Sequence, residues 1–148
     1  MPGADAKGPR QTFRIRNDLR EIPRLAEQIE AFCAKAGVSM ASVYPVNLVL
    51  DEWLTNLVSY AFEPHSEHEI QVDVASDDDG LTIAVTDDGR AFNPLEDAPP
   101  ARLEGDLEER KVGGLGIHFM KTLMDEIDYQ SMDGRNRLTL RKVPAAGD

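Results

Sequence analysis

The stretch Val46-Asn47-Leu48-Val49-Leu50-Asp51-Glu52-Trp53-Leu54-Thr55-Asn56-Leu57-Val58-Ser59-Tyr60-Ala61-Phe62 decides the reading of this chain. Val46, Val49, Leu50, Trp53, Leu54, Leu57, Val58 and Ala61 recur every three or four residues, the period of one buried helical face. Pro64 ends the helix. Glu52 and Asn56 stand four apart and so share a face. A carboxylate there can act as a general base or hold a water. An amide oxygen is a hard ligand that suits magnesium. Taken alone, such a pair is most simply a solvated helix face. On a helix otherwise so apolar, however, polar side chains need partners.

Before this stretch, Ser39 to Pro45 reads as a connection, preceded by a helix from about Ile22 to Ala36. Ile22, Leu25, Ile29, Phe32 and Cys33 form its stripe, Asp18 is a candidate cap and Gly37 stops it. Thr12 to Arg16 reads as a short strand, and residues 1–11 as a flexible N-terminus. Downstream, Glu69 to Ala75 and Leu81 to Thr86 alternate as strands around the turn signal Asp78-Asp79-Gly80. The pattern then disappears from Asp87 to Val112. This stretch has three prolines and eight acids, the signature of a functional lid (about 92–112) or of disorder. A third helix opens at Gly113 to Gly116 and runs to about Met124. Ile127 to Gln130 and Arg137 to Val143 close the chain as a hairpin around Asp133-Gly134, with residues 144–148 as a tail. Blocks of helices and strands in this order predict an α+β two-layer sandwich over 12–143: a mixed, largely antiparallel sheet with helices on one face.

The 148 residues are one domain's worth and carry a net charge of -11. Residues 36–89 hold eleven acids and no Lys or Arg, while the rest balances sixteen acids against sixteen bases. The excess argues against direct nucleic-acid binding, which needs a basic footprint. It permits a divalent cation or a basic partner. No apolar run is long enough for a membrane span, and no secretory signal is visible in residues 1–20. The single cysteine, Cys33, excludes an internal disulfide and fits a reducing cytoplasm.

Two further constellations could carry chemistry. Val85-Thr86-Asp87-Asp88-Gly89-Arg90-Ala91-Phe92 leaves a strand end, where an Asp can accept a hydrogen bond from an exocyclic amine. Gly89 would let a ligand ring approach the backbone; the plain alternative is an Asp-Gly turn. Gly113-Gly114-Leu115-Gly116 leads into a helix whose N-terminal N–H groups could bind phosphate. It fits neither the dinucleotide fingerprint nor a P-loop, and its glycines could equally hinge a lid.

Together and in this order, the three stretches resemble the GHKL-type (Bergerat-fold) ATPases and, within them, the anti-sigma-factor serine-protein kinases. The resemblance spans roughly Phe13 to Lys142. Leu50 to Phe62 looks like the family's N box, Val85 to Phe92 its G1 box, Gly113 to Glu126 its G2 box, and Gly134 to Leu140 its closing strand. The resemblance implies ATP and magnesium as cofactors. Glu52 would be the general base and Asn56 the magnesium ligand. Asp87 would bind the adenine amino group, with Gly89 making room for the ring. Gly113, Gly114, Leu115 and Gly116 would contact phosphates and hinge the lid, and Phe92 and Thr139 would complete the nucleotide site. Tyr60 departs from the family, many of whose members carry His there.

All three histidines follow Asn56, and few residues precede the N-box helix. The expectation is therefore a free-standing domain and not a sensor histidine kinase. The resemblance implies a serine/threonine protein kinase of the cytoplasm that binds a sigma factor and phosphorylates a small anti-sigma-antagonist protein. Homodimers are frequent in that family. The alternative is a nucleotide- or partner-binding module without turnover.

Two smaller signals remain. His65-x-x-His68 with Glu63 and Glu67 is a candidate zinc cluster, but it lacks a third strong ligand such as Cys and reads by default as an exposed polar loop. Cys33 lies on an apolar stripe and reads as an inert buried thiol.

Overall fold

The computed structural model describes residues 8–95 and 120–144. Strand β1 (Arg10–Arg16) leads into helices α1 (Glu21–Ala36) and α2 (Met40–Asn56), and α2 continues as a π-helical turn over Leu57–Ala61. Strands β2 (Glu69–Asp77) and β3 (Gly80–Asp87) follow, then β4 (Glu126–Met132) and β5 (Arg135–Lys142). Residues 120–123, just before β4, are helical.

The five strands form one sheet in the order β1-β2-β3-β5-β4, and every pairing among them is antiparallel. Strand alternation sends one set of side chains to each face. Phe13, Val72, Val85, Leu138 and Tyr129 line up across all five strands on the inner face. The helices cover that face with Leu25, Ile29, Val43, Val46, Val49, Trp53 and Leu54, all at 1% exposure or less. The outer face is polar: Arg141 donates to Thr82 Oγ1 and Arg137 to Thr86 Oγ1. This is the expected α+β two-layer sandwich.

Three details differ from the sequence reading. First, α2 begins at Met40, not Val46, and runs through Pro45. Proline normally breaks a helix interior because it lacks an N–H and crowds the preceding turn. Here Ser39 caps the first turn by accepting from Ala41 N at 3.0 Å, and Ser42 and Val43 anchor that turn in the core. Ala41, whose carbonyl loses its usual donor, is exposed.

Second, Asp18 does not cap α1; the cap position is Arg20, without a side-chain cap bond. Asp18 instead accepts from Arg20 N and, at 2.7 Å, from its guanidinium, and this pairing holds its carboxyl down at about 2. Third, the long helical reading to Phe62 changes period after Asn56, where the π-helical turn begins.

The hairpin turns follow the sequence. Asp133 and Gly134 both have positive φ, 55° and 77°, the geometry of a two-residue I′ turn. Cys33 is fully buried, and that burial pushes its thiol up to about 11, so it is poorly reactive.

Candidate functional site

The site lies where α2 loses its regularity. The π-helical turn spreads one turn over an extra residue, a distortion frequent at functional sites. Asn56, Ser59, Tyr60 and Phe62 line a cavity of about 370 Å³ closed on its other side by Arg90 and Phe92. Trp53 forms part of the same lining, although it is only 1% exposed. Its indole N–H is buried and has no hydrogen-bond partner among the described residues.

The segment after β3 is fastened to this helix end. Arg90 N donates to Ala61 O at 2.8 Å, which satisfies a carbonyl the helix leaves open. Gly89 sits so close that a Cβ there would lie 2.7 Å from Ala61 O and 3.0 Å from Phe62 Cε1. A glycine is therefore required by the approach of two backbones, a reason independent of any ligand. Phe92 N donates to the Tyr129 hydroxyl at 3.0 Å, and the Trp53 ring centroid lies 6.4 Å from that of Phe92 and 6.3 Å from that of Tyr129.

Asp87 is 3% exposed at the inner end of β3. Its Oδ1 accepts from Asn136 Nδ2 at 3.0 Å and from Gly89 N at 2.9 Å. The same Asn136 amide donates to Gly89 O, while its Oδ1 accepts from Ser131 Oγ at 2.7 Å. Register explains the chain: Asp87 faces Asn136 on β5, and Asn136 faces Ser131 on β4. Burial raises the Asp87 pKa, and the bonds from Asn136 and Gly89 oppose that shift. Glu52, one turn before Asn56, is exposed and outside the cavity lining; partial desolvation, then the neighbouring Asp51 charge, raise its pKa.

The structure thus brings Asn56 and Phe92 to one cavity, while Asp87 and Gly89 stand outside its lining, just before the Arg90 to Phe92 segment that closes it. Thr139 is not among them. It lies half-buried in register with Ala84 and Asp128, on the opposite face of β5 from Asn136 and Leu138. Gly113, Gly114, Leu115 and Gly116, with most of the expected lid, lie outside the described residues.

Sequence reasoning missed Asn136 and Tyr129, whose contacts depend on strand pairing across 37 to 49 residues. It placed Trp53 only in the core. No group of three metal-ligating side chains occurs among the described residues. His68 has other partners, Asp88 and Phe62.

Comparison with known proteins adds to this geometry. Residues 15–142 match the family described as Histidine kinase-like ATPase domain. The chain belongs to that family. Among curated proteins it is 28% identical over 109 residues to the serine-protein kinase RsbW of Listeria monocytogenes, covering 72% of this chain and 69% of that protein. It is 32% identical over 97 residues to the serine/threonine-protein kinase BtrW of Bordetella bronchiseptica, covering 66% and 68%.

Among solved structures, the RsbU and RsbW domains of a Mycobacterium tuberculosis protein superpose with a TM-score of 0.60 at 15% identity. That match covers 93% of this chain but 34% of the other, so this family member spans about a third of that structure's length. A blue-light activated histidine kinase of Erythrobacter litoralis gives 0.52 at 21% identity, covering 72% and 31%. At these identities the superpositions speak for the fold alone. No helix among the described residues is long and apolar enough to cross a membrane.

Proposed function

We propose that this histidine-kinase-like ATPase domain is a magnesium- and ATP-dependent serine/threonine protein kinase that acts as an anti-sigma factor. Its substrate would be a small anti-sigma-antagonist protein, in the cytoplasm. One observation carries the nucleotide reading: Asn56 and Phe92 line one cavity, and the segment that closes it begins at a buried, hydrogen-bonded Asp87 carboxylate. The relatives named as serine kinases support the protein-kinase class.

The roles follow from the chemistry of each group. Both bonds to Asp87 land on Oδ1, so Oδ2 can accept from the exocyclic amine of adenine. Aromatic Phe62 and Phe92 and half-buried Tyr60 give the cavity apolar walls suited to a planar base. The Asn56 side chain fits magnesium: it offers one hard amide oxygen on the cavity wall, and this cation takes its remaining ligands from water and phosphate. Magnesium, when bound, neutralises phosphate charge during transfer.

Glu52 accepts the proton of the substrate hydroxyl. The hydroxyl oxygen bonds to the γ-phosphorus as the bond from that phosphorus to the bridging oxygen of ADP breaks. A carboxylate with a raised pKa is the better proton acceptor near neutral pH. Gly113 to Gly116, which lie outside the described residues, would contact phosphates.

The exposure of Glu52 outside the cavity lining favours a second reading, a nucleotide-binding module without turnover. Calorimetry of ATP with and without magnesium, on wild type and Asn56→Ala, tests the site. The expected result is binding in the wild type that depends on magnesium, and loss of about a hundredfold in the variant. Radiolabelled phosphate transfer to a candidate antagonist then separates the kinase from the module. Absence of ATP binding by the wild type would reject both.

A further inference from the structure

We infer that His68 is a positioning residue for the candidate nucleotide cavity, holding the aromatic wall Phe62 in place by stacking on it while pairing with Asp88. The inference rests on reading that cavity as the nucleotide site.

The histidine pair that resembles a metal motif is split by the fold. His65 occupies a left-handed turn position, φ 65°, and is exposed. His68 turns inward at the start of β2. Asn17 clamps its backbone from both sides: Asn17 Oδ1 accepts from His68 N at 3.0 Å, and Asn17 N donates to His68 O at 3.1 Å. The imidazole then lies 4.6 Å from the Phe62 ring, at an angle of 25°, with Nδ1 2.9 Å from Asp88 Oδ1.

Phe62 is the residue at which the π-helical turn ends, in extended conformation, and it lines the cavity. With no helix beyond it, only its neighbours fix its ring. On one side is the backbone of Gly89, close enough that a Cβ would press on Phe62 Cε1. On another is His68. The imidazole therefore joins two cavity-forming parts, the aromatic wall and the segment that begins at Asp87. The His68–Asp88 pair is partly exposed, 28% and 55% for the two side chains, so it contributes little to global stability. Its effect is local: the wall is set before a base arrives, which lowers the ordering cost of binding.

The test compares two probes in the presence of magnesium: ADP, which carries the base, and inorganic triphosphate, which does not. Their affinities would be measured by calorimetry for wild type, His68→Ala, His68→Phe, Asp88→Ala and the His68→Ala/Asp88→Ala double variant. His68→Ala is expected to weaken ADP about fivefold to tenfold and leave triphosphate within about twofold. His68→Phe, which keeps the stack and removes the pair, should recover part of that loss. The double variant should bind ADP no worse than His68→Ala, because the two residues act as one unit. Unchanged ADP affinity in His68→Ala would overturn the inference. So would equal losses for both probes, or no recovery in His68→Phe. If the wild type binds triphosphate but not ADP, the base-site reading falls, and this inference falls with it. If it binds neither, the nucleotide reading fails as a whole.

Discussion

The two ends of α2 do different work with the same helix. From Ser42 to Leu50, the buried positions are apolar or small: Ser42, Val43, Val46, Val49 and Leu50. From Trp53 to Phe62, the helix loosens into a π-helical turn, carries Asn56 at half-burial and accepts a hydrogen bond from Arg90 on its last carbonyl. The first end is held mainly by apolar packing; the second adds polar contacts with the segment after β3 to the burial of Trp53, Leu54 and Leu57. The candidate site is thus built where regular structure stops, while the regular part supplies the rigidity that holds it.

Substitutions along this helix should therefore separate stability from chemistry. The largest effect is expected from Glu52→Gln. This exposed change should leave unfolding and nucleotide binding nearly intact, yet lower phosphoryl transfer by about a hundredfold to ten-thousandfold, measured with labelled ATP and a cognate substrate. Transfer at the wild-type rate would remove Glu52 from its role. Leu54→Ala, at 1% exposure, should do the reverse. It should cost roughly 2–5 kcal/mol of unfolding free energy in urea titrations, because it opens a cavity in the core. ADP affinity measured well below the unfolding transition should hold.

Gly89→Ala bridges the two regions. Its Cβ would press on Ala61 O, so the loop after β3 must shift. A loss of about 1–3 kcal/mol in stability is expected, together with weaker ADP binding. If the variant matches wild type in both, the close approach is not a constraint.

The smallest effect concerns pH. Burial raises the Asp87 pKa above its unfolded value, so between those two values the folded state holds the extra proton. Its contribution to stability therefore falls as pH rises through that window. Nucleotide binding should run the other way: it needs the ionised acceptor and should weaken on acidification before ordinary carboxylates titrate. Calorimetry of ADP binding across this range should show that weakening in wild type and a flatter profile in Asp87→Asn.

Much of this protein follows from local rules. The helical stripes, the alternating strands, the Asp133-Gly134 turn and the burial of Cys33 depend on periodicity and turn chemistry, which act over a few residues. The placement of Glu52 and Asn56 one turn apart on a helix was legible for the same reason, since spacing on a helix is local geometry. The start of α2 was not, because whether a helix runs through Pro45 depends on Ser39 capping it and on the core receiving Ser42 and Val43.

The partners of the candidate site were equally hidden from sequence. Asn136 reaches Asp87 only because β5 lies beside β3, and the same pairing turns Thr139 to the other face. Tyr129 reaches Phe92, and His68 reaches Asp88, across 37 and 20 residues. Apart from the start of α2 and its π-helical end, the described helices, strands and turns, and the polar residues on them, were readable from local pattern. Which of those residues meet depends on how the strands and helices pack. Secondary structure is a short-range balance of backbone geometry and burial period, whereas a site is an assembly of side chains whose distances are set by sheet order and register.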